Sequence, residues 1–129
     1  MKQYLLTNGR FQFLNFGLPC LIIQTKGAKS GLERKTVLSY YEENGAIYIV
    51  ASNGGSDKNP SWYFNIKKNP KIIVNIQKEY IDMVAEELTG QNKLNYWKKI
   101  NMSFNGVYDK YQNNPERSIP VLKLIKANS

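Results

Sequence analysis

The run Thr25-Lys26-Gly27-Ala28-Lys29-Ser30-Gly31, with Arg34 and Lys35 just beyond it, concentrates small residues and cations in one short stretch. Small residues leave backbone N–H groups within reach of a ligand, and fixed positive charge beside them favours a phosphate. The order and spacing are not those of a Walker loop. Spacing alone leaves open a plainer alternative, a solvated turn with scattered lysines. A second candidate is Ser52-Asn53-Gly54-Gly55, which ends an apolar run and can offer backbone and small polar groups to a flat ligand. Asn-Gly pairs also mark ordinary turns. The third is Asn59-Pro60-Ser61-Trp62-Tyr63-Phe64-Asn65, where Trp62 is expected in the core and Tyr63 beside it faces solvent or a pocket. Tyr108 and Tyr111, three residues apart, either share that pocket or pack at an edge.

Absences narrow the chemistry further. The chain contains no histidine, which removes Ser–His–Asp and Cys–His devices, the usual zinc sites and the commonest base near neutral pH. An enzyme built this way is expected to leave its reaction to a cofactor, with no metal. The single cysteine, Cys20, allows no internal disulfide and sits in an apolar run, where it reads as a small core filler. A net charge of +8 calls for an anionic partner or reflects a lysine-rich surface. Nucleic acid is not expected, because the cations do not interleave with aromatics in an RNA-binding pattern.

These residues need elements to hold them. Residues 20–25, 34–43, 46–52, 71–77, 80–88 and 118–127 read as strands, with Asn44-Gly45 as a hairpin turn. Asn59 is expected to cap a short helix with Pro60 at its first position, Trp62 and Ile66 on its apolar face, and Pro70 ending it. Leu94, Trp97, Ile100 and Phe104 predict a second helix over 91–104, and 106–117 reads as a polar connection. Residues 1–18, with Tyr4, Leu5, Phe11, Phe13 and Phe16, predict an N-terminal arm or short helix that packs on the body. About six antiparallel strands with two or three helices predict a mainly β, single-domain barrel over 1–129. No apolar run is long enough to span a bilayer, and a cytoplasmic location is expected. Peripheral membrane contact through the arm stays open, as does the choice between monomer and homodimer.

In this order and on these elements, the motifs TKGAKSGLERKTVL, ASNGG, NPSWYFNIKKNP and YDKYQNNPERSIPVLKL resemble the deazaflavin-dependent nitroreductase family, relatives of the flavin-binding split-barrel proteins. The resemblance runs from about Leu21 to the end of the chain. It implies a split β-barrel that binds coenzyme F420, an 8-hydroxy-5-deazaflavin with a phosphodiester and an oligoglutamate tail. By the same resemblance Lys29, Ser30 and Arg34 hold the phosphate, and Lys26 partly replaces the arginine usual where this chain has Ala28. Thr36, Val37 and Leu38 lay their backbone along the ring, Ser52, Asn53, Gly54 and Gly55 line it, and the helix with Pro60, Trp62, Tyr63 and Asn65 closes the site. The implied activity is hydride transfer from the reduced coenzyme to a small hydrophobic quinone, enone or nitro-type acceptor. Tyr63, Tyr108, Tyr111 or solvent would supply the accompanying proton. Two alternatives share the fold: an FMN-dependent oxidoreductase, and a non-catalytic carrier of a flavin-like ligand.

Overall fold

A computed structural model describes residues 19–112 and 118–127; the expected N-terminal arm and residues 113–117 lie outside the described residues. The strands are β1 (Cys20–Lys26), β2 (Glu33–Ser39), β3 (Tyr41–Glu43), β4 (Ala46–Val50), β5 (Lys71–Ile76), β6 (Glu79–Glu87) and β7 (Val121–Lys126). They form one antiparallel sheet in the order β2-β1-β5-β6-β7-β4-β3. The strand expected over 34–43 is divided at Tyr40, whose N–H bonds to the Pro19 carbonyl at 3.3 Å. That division gives seven strands in place of six. The two sheet edges, β2 and β3, adjoin in sequence, so the sheet curls on itself as a half-barrel.

Alternation along the strands decides what the barrel holds. Leu21 and Ile23 of β1, Ile47 and Ile49 of β4, Ile72 and Val74 of β5, and Leu122 and Leu124 of β7 form a buried interior cluster. Helix α1 (Ser61–Lys68) adds Trp62 and Ile66 to it, and each buried side chain contributes about 2–3 kcal/mol. The opposite set on β4, Ala46, Tyr48 and Val50, packs instead under α2 (Gly90–Ser103) and α3 (Val107–Tyr111) through Ile100, Phe104 and Tyr108. Helix α3 occupies part of the expected polar connection. Gly106, at φ 80°, turns the chain into it, and Asp109 accepts bonds from Trp97 Nε1 at 2.7 Å and Asn101 Nδ2 at 2.8 Å. A second correction concerns α1: Pro60 is extended and precedes the helix, which starts at Ser61, so Asn59 is not its cap.

Asn44 and Gly45 both have positive φ, 53° and 81°, in the expected hairpin turn. Gln77 and Lys78 make the β5–β6 turn the same way, at φ 48° and 69°, without a glycine. Among the described residues no helix is long and apolar enough to cross a membrane.

Candidate functional site

The loop between β1 and β2, the start of β2 and one face of α1 enclose a cleft of about 680 Å³. The loop supplies Gly27, Ala28, Lys29 and Ser30, and β2 supplies Arg34, Lys35 and Thr36. Ser61, Trp62, Phe64 and Asn65 line it from α1. Trp62 therefore has two roles: its ring is buried in the barrel interior, 6% exposed, and one edge forms cleft wall. Phe64 is half exposed and adds a second aromatic surface.

The loop does not present all its amides to a ligand. Gly27 N–H bonds to Leu32 O at 2.7 Å, and Gly31 N–H bonds to Gly27 O at 2.9 Å. Ala28 N–H donates to Asn65 Oδ1 at 2.9 Å, and Leu32 N–H donates to Ser30 Oγ at 3.1 Å. The amides of Lys29 and Ser30 have no acceptor among the described residues. Ser30 Oγ, already an acceptor, keeps its own hydrogen to donate. Two amides, a hydroxyl and the side chains of Lys29, Arg34 and Lys35 are a donor set suited to a phosphodiester.

Of the expected coenzyme residues, Lys29, Ser30, Arg34, Thr36, Trp62 and Asn65 share this cleft. Asn65 is 7% exposed and ties the loop to the helix, since its Nδ2 also reaches Thr25 Oγ1 at 3.4 Å. Lys26 lies in a neighbouring cleft of about 260 Å³ with Gln24, Glu33 and Lys71. Alternation turns the Val37 side chain onto Cys20 and Ile22 and packs Leu38 against the interior cluster, and neither residue lines the cleft. Ser52 precedes a one-turn 3-10 helix, Asn53–Gly55, that does not line the cleft. Gly55 instead lies against Tyr111, where an added Cβ would stand 3.3 Å from the ring. Pro60 sits at the entrance to α1 but is not in the cleft wall.

None of the three candidate tyrosines lines the cleft. Tyr63 is half-buried, and its hydroxyl donates to Glu87 Oε1 at 2.6 Å, an oxygen shared with Lys67 at 3.1 Å. Burial first, then that bond to a carboxylate, pushes the phenol up to about 12. Tyr108 is buried under α2, its ring edge-on to Phe104 and Tyr111, and burial pushes it to about 12 as well. Phe64 was not anticipated as a site residue. The signal was present: Ser61, Phe64, Asn65 and Lys68 follow the i, i+3, i+4, i+7 spacing of one helix face.

A model of the F420H(2)-dependent quinone reductase family matches residues 2–126. An F420H(2)-dependent quinone reductase of Mycobacterium tuberculosis (strain H37Rv) is 33% identical over 123 residues, 93% of this chain and 83% of the relative. The structure of the F420-H2 dependent reductase FDR-A is 40% identical and superposes with a TM-score of 0.73 over 82% of this chain and 93% of that one. A second solved structure, described as a domain-swapped dimer, is 36% identical with a TM-score of 0.75, over 95% of this chain and 92% of its own.

Proposed function

The chain belongs to the F420H(2)-dependent quinone reductase family, and from that premise we propose that it is an oxidoreductase that uses reduced coenzyme F420 to reduce a quinone. The observation that carries this reading is the cleft itself. It brings free amides, a hydroxyl and three cations together with the Trp62 and Phe64 surfaces in one cleft. An anionic phosphodiester suits the donors and a flat ring the aromatic surfaces. The FMN-dependent and carrier alternatives lose ground, because the matching family and relatives are described as F420H(2)-dependent reductases.

When bound, the reduced coenzyme supplies the hydride; the protein supplies orientation and electrostatics. Lys29, Ser30 and Arg34 would hold the phosphate, and Thr36, further along β2, also lines the cleft. Trp62, fixed by its burial in the barrel, keeps that wall rigid and dry. No histidine is present to act as a base. Tyr63 commits its hydrogen to Glu87, Tyr108 is buried and Tyr111 does not line the cleft, so the accompanying proton falls to solvent. Enones and nitro-activated rings are further acceptors with the same electrophilic character.

Fluorescence titration with F420 and with FMN tests the reading. Binding of F420 at micromolar or tighter, about −8 kcal/mol or better, and weaker FMN binding are expected, with menadione turnover only in the presence of reduced F420. Lys29→Ala and Arg34→Ala should each weaken F420 binding by about 1.5–3 kcal/mol as lost charge-assisted bonds. Clear FMN binding with no F420 binding would overturn the coenzyme.

A further inference from the structure

The loop that carries the free amides is closed on itself by its own bonds, Gly27 to Leu32 and Gly31 to Gly27. Those bonds give it a shape but do not orient it against the rest of the cleft. Two side chains of α1 do that. Asn65 Oδ1 takes the Ala28 N–H at 2.9 Å, and Lys68 Nζ donates to the Ala28 carbonyl at 2.7 Å. Both polar groups of one residue are thus held, from positions one turn apart on one helix face. Asn65 is buried and Lys68 exposed, so a rigid inner anchor is paired with an outer one. Lys68 does not line the cleft.

We propose that Lys68, acting with Asn65, is a positioning residue for the anionic part of the coenzyme: the two clamp Ala28 so that the Lys29 and Ser30 amides point at one phosphate position. This rests on the coenzyme reading above. The clamp assigns α1 two faces with different work. Trp62 and Ile66 lock the helix into the barrel, and Asn65 and Lys68 transmit that fixed position to the loop. Its effect is confined to the loop, because the Trp62 ring is held by the other face.

The test compares F420 with the 8-hydroxy-5-deazaflavin riboside that lacks the phosphodiester, both titrated by fluorescence. Lys68→Met keeps the aliphatic stem and removes the donor, at an exposed position where folding is spared. It should weaken F420 about tenfold, as expected for a lost bond from a charged donor, and leave the riboside unchanged. Lys68→Arg, which can still donate to the carbonyl, should recover most of the loss. Lys67→Met, one residue away and paired with Glu87, removes the same charge without touching the loop and should bind F420 as the unaltered protein does. Unchanged F420 binding by Lys68→Met overturns the clamp, as does an equal loss for the riboside. A loss in Lys67→Met as large as in Lys68→Met also overturns it, since charge alone would then explain the effect. If the unaltered protein binds the riboside but not F420, the coenzyme reading fails first and the clamp with it.

Discussion

Gly27 shows what a single missing carbon does at this site. Its backbone is not in the left-handed region, so conformational freedom is not the reason for glycine there. Space is: a Cβ on Gly27 would lie 2.6 Å from Ser30 Oγ. The Ser30 hydroxyl is turned inward to accept the Leu32 N–H, and it can do so only while position 27 has no side chain. Gly27→Ala is expected to expel the hydroxyl from that bond rather than to unfold the exposed loop. F420 binding should weaken by about 1–2 kcal/mol, the range for one lost hydrogen bond and a misdirected donor. Adding Ser30→Gly to Gly27→Ala relieves the clash, so the pair should bind no worse than Ser30→Gly alone. Titration of the three variants checks this, and normal affinity in Gly27→Ala would mean that the contact does not shape the site. From sequence, the glycines suggested close approach of a ligand; the neighbour at Gly27 is the protein's own serine.

At the scale of elements, regular periods were legible and long-range partners were not. Trp62 and Ile66, four apart, marked the buried face of α1, and Leu94 to Phe104 marked α2. The other face of α1 carries the same spacing in Ser61, Phe64, Asn65 and Lys68, yet its meaning depends on Ala28, about 40 residues away in sequence. The short α3 escaped because residues 107–111 provide one turn, too few to show a period; Tyr108 and Asp109 hold it to α2 instead. The strands on either side were expected, but nothing in Gln77-Lys78 advertises a tight turn with two left-handed residues. That mismatch is testable. Lys78 is exposed at φ 69°, where a side chain costs about 1–2 kcal/mol and glycine is free of the clash. Lys78→Gly also gives up about 0.5–1 kcal/mol of chain entropy. The balance predicts a gain of roughly 0.5–1 kcal/mol, read as a higher urea midpoint with an unchanged m-value. A lower midpoint would mean that the lysine side chain contributes more than its backbone strain costs.

Across the whole molecule, curling the sheet separates two hydrophobic sides, and the tyrosines expected near one pocket are divided between them. Tyr63 packs against the barrel interior, while Tyr108, on α3, packs with α2 on the opposite side of the sheet, a split that no local pattern reveals because it depends on which strands become neighbours. The split also sets the protein's response to pH. With no histidine in the chain, no side chain has its ordinary ionisation between about pH 6 and 8. The two phenols move away from that range, from 10 up to about 12, chiefly through burial. A phenol whose folded pKa is raised binds its proton more tightly when folded. Its contribution is therefore fully present below pH 10 and is lost as pH climbs from 10 through 12. For the buried Tyr108 the two-unit displacement corresponds to roughly 2–3 kcal/mol, whereas the half-buried Tyr63 contributes less because solvent screens it. Urea midpoints are thus expected to show no tyrosine-dependent slope from about pH 6 to 9 and to fall steeply above 10. Tyr108→Phe should flatten part of that alkaline fall and lower, by one tyrosine's share, the phenolate absorbance that appears together with unfolding, to which the other raised phenols Tyr40, Tyr48 and Tyr63 also contribute. If the Tyr108 phenolate instead forms near pH 10 while the fold persists, its ring is not shielded from water, and the packing of α3 over the sheet would have to be looser than its contacts with Phe104 and Tyr111 indicate.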